Sequence, residues 1–376
     1  MEINILHYLP ENTKIKLDKI LIDKLFYGRS LTRWSRFLGI SLKNLSRYKN
    51  GSRAVPLDLF NRLVALLNLN LIDFQNNIQL KINSTGNYIK LGPIIEIDEK
   101  WVYVSELIKG DGHIPSKFHY LVLVNNNKVL IDYVKDFFIS LGLDKKHLFI
   151  YKKDDVNFLI IRSYLLAYLF NKILEVPVGK KNEINISDFV MKNRSFGIAA
   201  IRGAFDAEGS VNFIGSRSIT ISSQSLIWIN KLQKILDILK IKSKIYKEEK
   251  SRSRPIYRLT IHHIINLKRF YRIIKPLHSK RQDKLRKIIT EFNKNPSRIF
   301  HKKILLSIQS GNYRRSDIAR DINKSLILVS NNIAYLKEKG FITPFEKNYT
   351  NIGCYFKYKM TDSGIKYLEE GESYYF

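Results

Sequence analysis

Ile201-Arg-Gly-Ala-Phe-Asp-Ala-Glu208-Gly209 reads as a short apolar helix that ends in a carboxylate followed by glycine. A second phrase of the same kind, Val104-Ser-Glu-Leu-Ile-Lys-Gly-Asp111-Gly112, lies 97 residues earlier. Negative charge is unfavourable at a helix C-terminus, so an acid placed there twice asks for a cation. Two copies of one acid-ended helix imply a pseudo-symmetric site with two carboxylates at its centre. The chain carries 64 Lys and Arg against 34 Asp and Glu, a net charge of +30. Paired carboxylates in so basic a chain point to metal-dependent chemistry on nucleic acid.

The duplication extends beyond the two phrases. After Asp111 come the apolar runs Tyr120 to Asn126 and Val129 to Phe138; after Glu208 come Ser218 to Gln224 and Leu226 to Leu236. Val124 and Ile221 each lie 13 residues past their carboxylate, which sets them as equivalent strand positions. Leu148 to Lys152 and Phe158 to Ile161 follow in one half, Lys244 to Lys247 and Tyr257 to Ile261 in the other. Each half then has an apolar helix pattern, Tyr164 to Leu174 and Ile264 to Ile274, and a Pro-led basic cluster, Pro177 to Lys181 and Pro276 to Lys280. Apolar spacing switching between periods 3.6 and 2 gives helix, two strands, helix, two strands, helix in each half. A repeat of this length, present twice, is a duplicated domain and not a solenoid.

Both phrases resemble the signature of the LAGLIDADG homing endonucleases. The second copy has Gly203 at the third place, Asp206 at the sixth, Glu208 at the eighth and Gly209 at the ninth; in the first, Glu106 and Lys109 replace the small third and acidic sixth residues. The resemblance implies an α+β fold of two αββαββα repeats, over 98–193 and 194–292, forming a pseudo-twofold saddle. The two signature helices pack together where small residues (Ala200, Gly203, Ala204) let the backbones approach. Glu106 either points outward or pairs with Arg202. Asp111 and Glu208 then hang side by side over the DNA minor groove as ligands for Mg²⁺ or Mn²⁺ and as catalytic groups, and Gly112 and Gly209 permit the sharp exit from helix to strand. A basic side chain near each centre, Lys181 and Lys280, orders water and stabilises charge, with Lys180 and Arg281 as seconds. The sheets offer Lys152, Lys153, Lys244, Lys247, Arg254 and Arg258 to DNA, the charged stretch from Lys247 to Arg254 as a phosphate-facing loop.

The flanks add two modules. Ser30 to Gly39 and Ser41 to Tyr48 read as two short helices across a Gly turn, with Ser41 as N-cap. They resemble the helix-turn-helix of the Cro and phage-repressor family, which makes residues 1–80 a helical DNA-binding module with Lys43, Asn44, Ser46 and Arg47 facing the groove and Leu45 packing inward. Residues from about Leu80 to Lys100 read as a linker. Residues 300–376 resemble a winged helix: Lys302 to Gly311, Arg315 to Ile322 and Leu326 to Lys339 as helices, Tyr349 to Met360 as the wing, and Ser330, Asn331, Asn332 and Tyr335 toward a groove. Such modules also bind protein or dimerise.

The single cysteine, Cys354, excludes an intramolecular disulfide and any multi-cysteine zinc site. It fits a reducing cytoplasm. The first apolar stretch is broken by Asn4, His7 and Pro10, against a signal peptide, and the longest apolar region, Val156 to Val178, contains Arg162, Asn171, Lys172 and Glu175, against a membrane span. Neither terminus carries the residues that start or finish protein splicing, so the chain reads as a freestanding protein, monomeric through its internal pseudo-dimer with dimerisation by the winged helix as an option. Three functions stay open: a site-specific, metal-dependent endonuclease of double-stranded DNA; a non-cleaving regulator or replication-associated DNA binder on the same fold; and an RNA-splicing helper.

Overall fold

The computed structural model describes all residues but 83–86, 118–119, 180–182, 213–216, 251–252, 294–295, 351–352 and 370–376, and leaves the side chains of 250, 253, 291–293, 296–298, 350 and 353 undescribed. The chain divides into two units, Met1–Lys287 and Ile288–Phe376.

The first unit begins with β1 (Glu2–Asn4), β2 (Thr13–Leu17), α1 (Lys19–Leu25), α2 (Leu31–Leu38), α3 (Leu42–Lys49), β3 (Val55–Pro56), α4 (Leu57–Leu66), β4 (Ile78–Ile82) and β5 (Ile94–Glu96). Gly39 closes α2 in the left-handed conformation, at φ 68°, which glycine adopts without steric cost. Ser30 and Ser41 cap α2 and α3 by accepting from Arg33 N and Asn44 N. This part is not purely helical, contrary to the sequence expectation. Thr13-Lys-Ile-Lys-Leu17 and Ile78-Gln-Leu-Lys-Ile82 both alternate, and they pair antiparallel with Ile15 opposite Leu80. The expected linker is also structured, since β5 pairs antiparallel with β1, Ile95 opposite Ile3.

The two repeats follow in the same unit. The first is α5 (Glu99–Asp111), β6 (Gly112–His113), β7 (Leu121–Asn125), α6 (Lys128–Ser140), β8 (Leu148–Lys153), β9 (Val156–Ile161) and α7 (Tyr164–Leu174). A short α8 (Asp188–Lys192) leads to the second: α9 (Arg194–Glu208), β10 (Gly209–Asn212), β11 (Ser218–Ser223), α10 (Leu226–Ile238), β12 (Lys244–Lys250), β13 (Ser253–Ile261) and α11 (Ile264–Ile274), continued by α12 (Ser279–Asn293). Both are αββαββα, and both sheets have one strand order, β6-β7-β9-β8 and β10-β11-β13-β12. Within the charged stretch expected as a loop, the described residues belong instead to β12 and β13, which pair with Tyr246 opposite Arg258.

Strand pairing corrects the equivalence read from spacing. Gly112 lies opposite Leu123, whereas Gly209 lies opposite Ile221. The connection in the second repeat is one residue longer, so Ile221 matches Leu123 and not Val124. A slip of one residue exchanges the two faces of a strand. Leu121, Leu123, Leu159 and Ile161 form the buried face in the first repeat, and Ile219, Ile221, Leu259 and Ile261 form it in the second.

The second unit consists of α13 (Pro296–Gln309), α14 (Arg315–Asp321), α15 (Leu326–Glu338), the hairpin β14 (Ile342–Thr350) and β15 (Gly353–Met360), and α16 (Asp362–Glu369), a helix the sequence reading did not anticipate. Ile304, Leu305, Ile308, Ile318, Val329, Ile333, Leu336, Ile342 and Tyr358 make its core. No helix among the described residues is long and apolar enough to cross a membrane.

Candidate active site

The site is built where α5 and α9 cross. Their approach is too close for side chains at two places. A Cβ on Gly203 would stand 2.4 Å from the Tyr103 carbonyl oxygen and 2.9 Å from Glu106 Cβ; one on Gly110 would stand 2.4 Å from Ala207 Cβ and 3.1 Å from Glu208 Cγ. Glu208 therefore lies against the last turn of α5, one residue from Asp111. Gly112 and Gly209 are needed for space and not for a left-handed turn. Their φ values are −129° and −80°, but a Cβ on either would come within 2.3 Å of a carbonyl oxygen, that of Val122 or of Phe205.

Asp111 is half-buried and Glu208 is exposed. Asn125 Nδ2 donates to Asp111 Oδ2 at 2.6 Å, and Asn125 Oδ1 accepts from the backbone of Asn127 at 2.7 Å, so the carboxylate is held from the neighbouring strand. A cleft of 320 Å³ opens beside Glu208, lined by Gly110, Ile184, Ser222, Gln224 and Ser225 among others.

Glu106 neither points outward nor meets Arg202. It is 1% exposed, as is Lys109, and the two form an ion pair of 2.5 Å one turn apart on α5. Trp228 Nε1, on α10, donates to the other Glu106 oxygen at 2.7 Å. The two departures of the first phrase from the family pattern thus satisfy each other. Burial pushes the Glu106 carboxyl up from its usual range, against the Lys109 and Trp228 interactions. Arg202 donates instead to the Ile274 carbonyl at 2.6 Å.

Asp206 does different work at the matching sixth place. It is fully buried and accepts from Tyr103 OH at 3.0 Å, Leu277 N at 2.8 Å and His278 N at 3.1 Å. Burial raises its carboxyl in spite of these three donors. Its backbone partners tie the segment before α12 to the end of α9, and that segment delivers Arg281. The guanidinium donates to the carbonyls of Phe205 at 2.8 Å and Ala207 at 2.9 Å, and closely to that of Asp206. A cation on the last carbonyls of a helix satisfies orphan acceptors and complements the dipole. Burial lowers the Arg281 pKa, opposed by the charges of Asp111, Asp206 and Glu208.

Lys181 and Lys180 lie outside the described residues, and Lys280 is exposed on the first turn of α12. Arg281, one residue on, is the side chain that reaches the last carbonyls of α9. Asn125, Tyr103, Trp228 and His278 had no role in the sequence reading. Asp206 was visible as a motif residue, but its partners sit 71 and 72 positions away.

Lys43, Ser46 and Arg47 are exposed on α3 while Leu45 is buried; Asn44 is half-buried and accepts from Arg53 at 3.2 Å. Lys153 is exposed at the end of β8, and Lys152 there pairs with Asp155 at 2.6 Å. Lys244, Lys247, Arg254 and Arg258 are exposed on the β12–β13 hairpin, with Lys247 on Glu249 at 2.8 Å and Arg258 on Glu248. On α15 Asn331 is exposed and Ser330 half-buried, but the Asn332 amide is spent on His301 at 3.0 Å and the Leu328 carbonyl at 2.7 Å.

Residues 195–275, from the start of α9 to the end of α11, match the family model of the LAGLIDADG-like domain. The chain carries a LAGLIDADG-like domain. Its fold is similar to that of I-DmoI in complex with DNA and Mn, at 21% identity and a TM-score of 0.37 over 47% of this chain and 96% of the other. The N-terminal LAGLIDADG domain of DUF199/WhiA is similar at 14% identity and 0.35, over 47% and 82%; full-length DUF199/WhiA from Thermatoga maritima at 13% and 0.35, over 65% and 93%. At these values the likenesses bear on neither the activity nor the partners of this chain. No curated protein sequence matches it. Within the LAGLIDADG-like domain, Asp206, Glu208 and the polar face of the second sheet all fall inside the matched residues.

Proposed function

We propose that this protein binds double-stranded DNA and hydrolyses it with a divalent metal ion. The observation that carries the reading is the close approach of α5 and α9, which sets Glu208 against Gly110, one residue from Asp111, with the Arg281 guanidinium on the last carbonyls of α9. The net charge of +30 supports a polyanionic partner.

The donors on offer are carboxylate oxygens, which suit a hard cation of the Mg²⁺ or Mn²⁺ class. Among the described residues no three His, Cys, Asp or Glu side chains gather to hold a metal, so water and DNA phosphate would complete its shell. When bound, such an ion supplies Lewis-acid stabilisation of the phosphate and a more acidic water. Asn125 fixes the direction of the Asp111 carboxylate. Arg281 offsets the repulsion between the two acids and keeps positive charge where the phosphate's charge grows. In hydrolysis a water oxygen bonds to phosphorus, the P–O3′ bond breaks, and the leaving oxygen takes a proton. On this reading Lys152, Lys153, Lys244, Lys247, Arg254 and Arg258 hold the duplex, with Lys43, Asn44, Ser46 and Arg47 on α3 and Ser330 and Asn331 on α15 as outlying contacts.

The test begins with selection of a bound duplex from a randomised library in Ca²⁺, followed by incubation with Mg²⁺ or Mn²⁺. Double-strand cleavage at one position supports the reading. Tight, salt-sensitive binding without nicking, losing roughly 0.9 log units of affinity per log unit of salt for each phosphate contact, would instead favour a regulator that binds and does not cut.

A further inference from the structure

The two repeat sheets differ most on the face turned away from their helices. Register matches the positions one by one: Val122, Val124, Phe149, Tyr151, Phe158 and Ile160 in the first sheet occupy the places of Thr220, Ser222, Lys244, Tyr246, Arg258 and Thr260 in the second. Val122 and Thr220 are both buried, Val124 and Ser222 are both half-buried, and Tyr151 and Tyr246 are 47% and 48% exposed; Phe149, Lys244 and Arg258 are exposed, and Phe158 and Ile160 half-buried. The accessible part of this surface, Val124, Phe149, Phe158 and Ile160 against Ser222, Lys244 and Arg258, is therefore apolar in one repeat and polar in the other.

We propose that the open face of the first sheet reads thymine methyl groups, so that the half-site beneath it is thymine-rich. The proposal rests on the duplex-DNA reading above. In the major groove the thymine C5-methyl is the one apolar group that a base pair presents. An apolar side chain over other base edges strips water from donors and acceptors and returns no hydrogen bond. Valine and isoleucine over methyls lose nothing of this kind, and each methyl buried adds affinity. The second sheet, with a serine, a lysine and an arginine at the accessible places, reads its half through hydrogen bonds and charge.

Two features favour a duplex over unpaired bases. Val124 and Ile160 offer no stacking surface, and the rings of Tyr151 and Phe158 already stack on each other at 4.8 Å and 6°. Cations rim the apolar patch: Lys152 and Lys153 follow Tyr151, and the Arg162 guanidinium lies 4.0 Å over Phe149. This is a backbone-gripping margin around a base-reading centre.

The experiment uses the full chain in Ca²⁺ and the duplex selected from a randomised library. That duplex is resynthesised with deoxyuridine for thymidine in one half at a time, which removes only methyls. Affinity is expected to fall about fourfold per methyl lost in one half and to change by less than twofold in the other. Val124→Ser, which installs the residue of the second sheet, should reduce the response in the sensitive half and so assign that half to the first repeat. Equal responses in both halves, no response in either, or tighter binding of single strands would overturn the proposal while leaving nucleic-acid binding intact. Failure to enrich any duplex would overturn it together with the reading beneath it.

Discussion

The two repeats share a backbone plan and spend their polar groups in opposite places. The second puts Asp206 at the sixth place of its motif helix, ties down the segment before α12 and brings Arg281 to the last carbonyls of α9. The first puts Lys109 there, and Lys109 turns into the core to meet Glu106 and, through it, Trp228. The sheets repeat the contrast, polar over the second repeat and apolar over the first. A duplicated fold can keep its close helix contact, enforced by Gly203 and Gly110, while each copy drifts toward its own task. The two halves of the site are chemically unequal even though their strand orders are identical.

That inequality can be tested at several depths. The largest effect belongs to the acids, where the halves should be alike. Asp111→Asn and Glu208→Gln should each lower Mg²⁺-dependent cleavage of the selected duplex at least about a hundredfold, the loss that even outer partners of a metal site produce. Binding measured in Ca²⁺ should hold or tighten, because each change removes a negative charge facing phosphate. If only one of the two mattered, the shared-site picture would fail.

Next comes the buried pair. Lys109→Met should destabilise the fold by about 3–5 kcal/mol, since it strands the Glu106 carboxylate. Adding Glu106→Gln should restore most of that, because a neutral amide oxygen still accepts from Trp228. Urea unfolding of the single and double variants reads the difference; equal midpoints would show that the pair does not carry the core of the first repeat. Gly203→Ala should cost about 1–3 kcal/mol as the helices are forced apart, and it should slow cleavage as well, because Asp111 and Glu208 ride on those helices. A stable variant with unchanged cleavage would show that the helix contact does not set the site.

The smallest effect is a pH dependence confined to the second repeat. Burial, reinforced by the Arg281 and Lys280 charges, lowers the His278 imidazole from 6.5 to about 4. The unfolded chain takes up this proton near pH 6.5 and the folded chain does not. Stability contributed by the neutral ring is therefore present above pH 6.5 and is lost as pH falls from there toward 4. His278→Gln should flatten the decline in melting temperature across that window, and a slope unchanged from wild type would contradict the assignment.

Much of the architecture was legible in the sequence because it is local. The period-3.6 phrases ending in Asp111 and Glu208, the alternating strands, the capping serines and the stop at Gly39 are each decided within a few residues. The site was half legible. The two acids could be named from their place at helix ends, whereas their supports could not: Asn125 lies 14 residues from Asp111, and Arg281 meets carbonyls 74 to 76 residues away.

Sequence alone thus determined the duplication and the order of elements in each repeat, and it named the two candidate carboxylates. Three matters were decided only by tertiary structure. Glu106 and Lys109 looked like defects in a motif until packing removed both from water and left each as the other's partner. Lys280 and Arg281 are neighbours in sequence, yet consecutive residues on a helix point about 100° apart, and only Arg281 meets the last carbonyls of α9, where Leu277 N and His278 N donate to Asp206. The equivalence of Ile221 with Leu123 depended on a one-residue difference in a connection. Spacing counted along the chain cannot register it, because which face of a strand is buried is fixed by the pairing across the sheet.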